Sequence, residues 1–266
     1  MSRFEDLIAE GVGVPTEGWD FSWFTGRATE QRPSWGYSSL LADRMARAGA
    51  ALDLQTGGGE VLASVPAVPP VLVATESWAP HLELARHRLG PLGAEVVRAG
   101  DADDLPFPGE SFDLVAARHP VLTRWDEIHR VLRPGGGFLS QQVGSGSVRE
   151  LTEFLMGPSA MNEALAESAR RPLPRSATAS GASPVALAAG AESAGFEVVE
   201  LRSEGLRMEF HDIAAVVHFL RKVVWTVPGF TVGAYRARLA ELHEFMERHG
   251  PFVAHAQRVL IETRRR

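Results

Sequence analysis

Three consecutive glycines, Gly57-Gly58-Gly59, follow the apolar run Ala51-Leu52-Asp53-Leu54-Gln55. Glycine there permits positive φ and lets a ligand approach the main chain without meeting a Cβ. In open α/β sheets, ligands sit in the crevice outside the carboxyl ends of the strands. The next candidate is Glu76, which ends the apolar run Val71-Leu72-Val73-Ala74-Thr75 and can accept hydrogen bonds from ribose hydroxyls. A third acid, Asp101, follows Glu95-Val96-Val97-Arg98 in the segment Gly100-Asp101-Ala102-Asp103-Asp104. It can accept from an adenine amino group while the next backbone N–H donates to a ring nitrogen. A pyrophosphate site would prefer G-x-G-x-x-G; Gly57 and Gly59 fit, but the third position is Leu62. An adenosine held by its ribose and base suits these residues better than a pyrophosphate.

The elements needed to hold these groups are legible between residues 50 and 156. Short apolar runs at 51–55, 71–75, 95–98, 112–117 and 138–143 predict strands. Helical spacing near 60, over 80–89 and from Trp125 to Leu132 alternates with them. Arg133-Pro134-Gly135-Gly136-Gly137 reads as a turn ahead of the fifth strand. Such alternation predicts a doubly wound parallel sheet. Residues 148–156 and 184–194 read as helices, 196–201 as a sixth strand with an arm to Phe210, and 256–262 as the last strand. Between the last two strands lie helices at 212–225 and 231–248, an insertion spanning 212–250. The leader, 1–49, carries Trp19, Phe21, Trp23, Phe24, Trp35 and Tyr37 and reads as an aromatic lid rather than a standalone helix, followed by a helix at 38–49. Residues 157–183 lose periodicity and read as a flexible loop, and 184–266 complete the sheet.

Taken together, the glycine turn, Glu76, the Asp101 segment and Arg130-Val131-Leu132-Arg133-Pro134-Gly135-Gly136 resemble the class I S-adenosylmethionine-dependent methyltransferases, in particular the type 11 group. The flanks at 1–49 and 184–266 are similar to those of uncharacterised actinobacterial proteins of this type. The resemblance implies a Rossmann-like seven-stranded sheet with an antiparallel last strand beside the sixth, plus a helical and aromatic lid. It implies S-adenosyl-L-methionine as cofactor, with S-adenosyl-L-homocysteine as product. Asp53, Gly57 and Gly59 are expected at its methionine part, Glu76 at the ribose and Asp101 with Ala102 at the adenine. Gln55, Ser77, Arg118 and Tyr37 complete the expected contacts. Gln55 stands where the family's glycine motif has its first glycine, a position where a strand residue needs glycine less than the turn itself does.

For the acceptor, His119 in Ala117-Arg118-His119-Pro120 is the candidate base, with Arg118 placed to hold a carboxylate or phenolate or to pair with Asp113. Trp23 and the helical set His218, Arg221 and Trp225 are candidate substrate contacts, the last three sharing one helix face by spacing. The favoured function is methyl transfer to a small molecule of the secondary-metabolite class. The competing readings are a ribosomal-RNA guanine methyltransferase and a cofactor-binding protein without transfer activity. A net charge of −6 argues against broad phosphate-backbone binding, and the absence of cysteine excludes disulfides and thiolate metal sites. With no membrane-length apolar run and no signal-peptide pattern in Ser2-Arg3-Phe4-Glu5-Asp6, the expectation is a cytoplasmic monomer or homodimer that binds no metal.

Overall fold

Strand and helix positions follow from which residues can be covered on both faces and which on one. A computed structural model of the chain describes residues 3–16, 21–159, 163, 173–174 and 176–266. In chain order the elements are α1 (Arg3–Gly13), a 3₁₀ turn (Ser22–Phe24), β1 (Ala28–Glu30), α2 (Tyr37–Met45), β2 (Ala50–Leu54), α3 (Glu60–Ala63) and β3 (Val71–Glu76). There follow α4 (Ala79–Leu89), a second 3₁₀ turn (Gly90–Leu92), β4 (Glu95–Arg98), β5 (Phe112–Arg118), β6 (Leu122–Arg124), α5 (Trp125–Val131) and β7 (Leu132–Val143). The chain continues through α6 (Arg149–Met156), β8 (Ala177–Ala179), α7 (Pro184–Ser193), β9 (Phe196–Phe210), α8 (Ile213–Lys222), α9 (Val232–His249) and β10 (Phe252–Arg265). The main sheet runs β1-β9-β10-β7-β5-β2-β3-β4, and β6 and β8 form a separate antiparallel ribbon.

The residues divide into two compact units. The larger comprises Arg32–Ser145, Leu173–Glu204 and Gln257–Arg266. Within it β4, β3, β2, β5 and β7 are parallel, and β10 pairs antiparallel with β7. Side chains alternate along each strand. Ala51, Leu114, Ala116 and Leu139 join Leu41, Met45, Leu82 and Leu89 on one face. Leu52, Leu54, Val115 and Phe138 join Trp125, Ile128, Leu187 and Phe196 on the other. Apolar packing on both faces is what a parallel sheet requires. The expected antiparallel last strand therefore lies beside the sixth, as the Rossmann-like reading has it.

Several boundaries differ from the sequence reading. The fifth strand begins at Leu132, because Leu132 already pairs with Phe112 before a register shift carries Pro134-Gly135-Gly136 as a bulge. The sixth strand runs on through the supposed arm to Phe210, and the last spans Phe252–Arg265. An eighth strand, β1, is added in the leader and pairs with the distal end of β9. Within the 157–183 stretch read as a loop, residues 177–179 form β8; residues 160–162, 164–172 and 175 lie outside the described residues. So does Trp19.

The smaller unit comprises Met1–Gln31, Gly146–Pro172 and Gly205–Ala256. Its core gathers Ile8, Phe24, Leu151, Phe210, Val216, Val217, Leu239 and Leu242. The leader holds a helix after all. In α1, Phe4, Leu7, Ile8 and Gly11 recur on one face, and Gly11 lies so close to α8 that a Cβ there would sit 2.6 Å from the Ala214 carbonyl oxygen. The helix was missed because aromatic density further along masked its period. α8 and α9 start on side-chain caps: Asp212 Oδ1 accepts from Ala215 N at 2.8 Å, and Thr231 Oγ1 from Ala234 N at 3.2 Å. Among the described residues no helix is long and apolar enough to cross a membrane.

Candidate cofactor site at the carboxyl edge of the sheet

The strand β2 ends at Leu54, and the chain then turns through left-handed conformations at Gln55 (φ 52°), Gly57 (φ 63°) and Gly59 (φ 79°). The expectation that Gln55 lies in a strand that needs no glycine is corrected here: this side chain occupies the region glycine favours. Its amide offsets that strain. Gln55 Nε2 donates to the Leu122 carbonyl at 2.7 Å, and Gln55 Oε1 accepts from Val121 N at 2.6 Å. Gln55 therefore ties the turn after β2 to the segment after β5.

Glu76, buried at 7% exposure, organises the same turn from the neighbouring strand. Its Oε2 accepts from Gly57 N at 2.8 Å, and its Oε1 accepts from Ser77 N and Trp78 N at 2.9 Å each. A carboxylate offers about four lone-pair positions. With these three bonds made, one position on Oε2 is left for a ligand hydroxyl. Asp101 lies near Ser77 and Glu76. Partial burial pushes its carboxyl up, the Ser77 hydroxyl pulls it down by hydrogen bonding, and Glu76 and Asp103 add upward repulsion. Ala102 is exposed on the turn, and its carbonyl accepts from Arg124. Ser77, Arg98, Ala99, Gly100, Asp103, Asp104 and Pro106 surround an open cavity of about 430 Å³ at the ends of β3 and β4.

Beneath the turn sits a second polar group. Asp53 is 7% exposed, and burial pushes its carboxyl up to about 7, against a smaller lowering influence from the Thr56 hydroxyl. The Tyr37 hydroxyl is buried without a hydrogen-bond partner among the described residues. Burial raises it well above the ordinary phenol value, nearby Asp53 raises it further, and Arg118 lowers it. Arg118 is exposed, and the proposed pairing with Asp113 does not occur. Asp113 instead meets Arg133 at 2.6 Å and accepts from Gly49 N and Ala50 N.

Past β5, His119 adopts φ 56° and its N–H donates to the Gln141 carbonyl at 2.7 Å. Its Nε2 lies 2.9 Å from Gln141 Nε2, and Gln141 Oε1 accepts from Trp35 Nε1 at 2.8 Å. Burial, with Arg118 and Arg258 nearby, holds the imidazole well below its ordinary value. His119 is therefore neutral at neutral pH and resists taking up a proton.

The remaining candidates belong to the smaller unit. His218 is 1% exposed, stacked on Phe24 at 5.0 Å and edge-on to Trp23 at 5.0 Å. Burial, then Lys222 and Arg221, lower it to about 4. Arg221 Nη1 donates to the Gly11 and Val14 carbonyls at 2.9 Å each, closing the carboxyl end of α1. Trp225 is 56% exposed and lies beyond the last residue of α8, Lys222, so the shared helical face ends before it. Thus Trp23 and His218 meet each other, while Arg221 is turned to the backbone.

Gln141 is the residue of this cluster that pattern reasoning passed over, and Trp35 had been read only as part of the aromatic leader. The available signal was Ser140-Gln141-Gln142, three polar residues following Phe138-Leu139 inside a strand; all three are buried. Buried amides of this kind have partners worth tracing.

Comparison with known proteins agrees with the geometry. Residues 52–140 match the methyltransferase domain family. A demethylmenaquinone methyltransferase of Clavibacter sepedonicus is 42% identical over 92 residues, which cover 32% of this chain and 37% of that one. The chain thus matches little more than a third of that relative's length. Among solved structures, a putative methyltransferase of Bacillus halodurans C-125 superposes with a TM-score of 0.56 at 18% identity, covering 85% of this chain and 97% of that one. The [4+2]-cyclase SpnF superposes with a TM-score of 0.50 at 16% identity, covering 98% of this chain and 92% of that one. Residues 52–140, which carry the glycine turn and the parallel strands described above, thus match the methyltransferase domain family, and the solved structures share the fold.

Proposed function

We propose that the protein is an S-adenosyl-L-methionine-dependent methyltransferase with a small-molecule acceptor. The observation that carries this reading is the buried, unpartnered Tyr37 hydroxyl beside the buried Asp53 carboxyl, directly under a left-handed glycine turn. Buried polar groups without partners are rare in scaffolds and common where a ligand completes them. Tyr37, Asp53 and exposed Arg118 suit the ammonium and carboxylate of a methionyl group. The free position on Glu76 suits a ribose hydroxyl, and Asp101 with Ser77 suits the adenine end. When bound, this cofactor supplies a methyl group activated by a positive sulfur. The chain's own task is then to hold an acceptor in line with that methyl and to exclude water. The acidic balance supports a small acceptor over nucleic acid, and the methyltransferase of Clavibacter sepedonicus supports the reaction class. A cytoplasmic monomer or homodimer belongs to the same reading.

A second reading, cofactor binding without transfer, draws support from Gln55 in a glycine position and from His119, whose imidazole is held well below its ordinary value by burial and Arg118. Isothermal titration with S-adenosylmethionine, S-adenosylhomocysteine and NAD separates the possibilities. Saturable binding of the first two is expected; binding of NAD alone overturns the assignment. Radiolabelled methyl transfer to a metabolite extract, set against purified ribosomal RNA, distinguishes small-molecule transfer from RNA methylation and from binding alone.

A further inference from the structure

The chain Trp35–Gln141–His119 fixes a proton. An indole N–H can only donate, so Trp35 Nε1 at 2.8 Å assigns the atom it meets on Gln141 as the oxygen. The other end of that amide is then NH₂, a donor, 2.9 Å from His119 Nε2. A nitrogen that receives a hydrogen bond carries no proton, which leaves the imidazole proton on Nδ1. Trp35 and Gln141 are both buried, at 6% and 3% exposure, so water does not compete for the amide. The Gln141 carbonyl holds the other side of the same residue by accepting from His119 N at 2.7 Å. His119 Nδ1 has no hydrogen-bond partner among the described residues, and the residue is half-buried.

Resting on the methyltransferase reading, we propose that Trp35 and Gln141 are positioning residues that lock His119 as the neutral Nδ1–H tautomer. His119 thereby offers a hydrogen-bond donor, not a base, at the carboxyl end of β5. The Arg118 guanidinium acts electrostatically on the same imidazole, so positive charge stands beside that donor. This edge fits a methyl acceptor that carries an anionic or carbonyl oxygen, such as a phenolate or carboxylate already ionised when it binds. Transfer to such an oxygen forms the O–C bond, breaks the S–C bond and leaves the electron pair on sulfur. The sulfonium and the anion neutralise each other, and no proton has to be removed by the chain.

The test is two-bond ¹H–¹⁵N correlation spectroscopy of protein labelled at histidine, with His119 assigned by its absence in His119→Asn. In the wild type, Nδ1 is expected to resonate as a protonated nitrogen and Nε2 as an unprotonated acceptor; a protonated Nε2 overturns the proposal. Gln141→Glu should reverse the pattern, because a carboxylate can only accept. Trp35→Phe frees the amide to rotate and should give a mixture of tautomers, so unchanged Nδ1–H in that variant removes Trp35 from the lock. Calorimetric affinity for S-adenosylhomocysteine, measured on the same samples, keeps the two claims apart. The Nδ1–H signature without cofactor binding sinks the functional reading alone. Cofactor binding with Nε2–H sinks the lock alone.

Discussion

Two polar clusters in the larger unit differ in how completely they are satisfied. Around α5 every charge has a partner. Glu127 bonds Arg130 at 2.7 Å and accepts from Leu105 N at 2.6 Å. Arg130 donates to the Leu105 and Phe107 carbonyls, and Arg124 joins Asp126, Asp104 and the Ala102 carbonyl. These contacts pull the Glu127 and Asp126 carboxyls down and Arg124 and Arg130 up. Under the glycine turn the opposite holds, with Tyr37 unpartnered and Asp53 raised toward neutrality. The saturated cluster braces the loop that carries Asp101. The unsaturated one is where the proposed cofactor would complete the hydrogen bonding. Both clusters are partly buried; they differ in how many of their polar groups find partners among the described residues.

That contrast can be broken by substitution. Glu76→Ala should weaken adenosylmethionine binding by ~10-fold or more, the scale of a lost charge-assisted bond, and should also free the amides of Gly57, Ser77 and Trp78. Calorimetry on the folded variant checks the affinity. Glu127→Ala should lower unfolding free energy by about 1–3 kcal/mol, because a buried backbone donor is stranded, while S-adenosylhomocysteine affinity falls far less than in Glu76→Ala. Arg221→Ala, in the smaller unit, should cost about 1–2 kcal/mol in urea unfolding by releasing the carbonyls of Gly11 and Val14, with cofactor affinity unchanged.

A subtler effect concerns pH. The Asp53 carboxyl sits at about 7 in the folded protein against an ordinary 3.8, so the folded state keeps a proton that the unfolded chain gives up. Its contribution to stability is present at low pH and is lost as pH rises through the folded value. Asp53→Asn removes that dependence. The wild type should therefore lose stability relative to Asp53→Asn between pH 4 and pH 7, read from paired urea titrations; a constant difference would place Asp53 in a satisfied environment. The smallest change is expected for Gln55→Gly, where relief of left-handed strain and loss of two hydrogen bonds oppose each other at roughly 1 kcal/mol apiece.

How far the sequence reaches follows the same division. The strands at 71–76 and 112–118 were legible because parallel strands covered on both faces need unbroken apolar runs. Glu76 and Asp101 stood out as acids at strand ends. Periodicity does not encode where a donor points. The locks made by Gln55 and Gln141 became visible only once β5 and β7 lay side by side. Arg221 illustrates the same limit: its spacing placed it on a face with His218, but its guanidinium serves the end of α1, a helix hidden behind the aromatic leader.

The central claim is most directly tested by amide hydrogen exchange with and without S-adenosylhomocysteine. Slower exchange is expected at Gly57 to Gly59, Ser77 and Ala102, with α5 unaffected. Unchanged exchange across the turn after β2, at concentrations saturating for known enzymes of this fold, would contradict it.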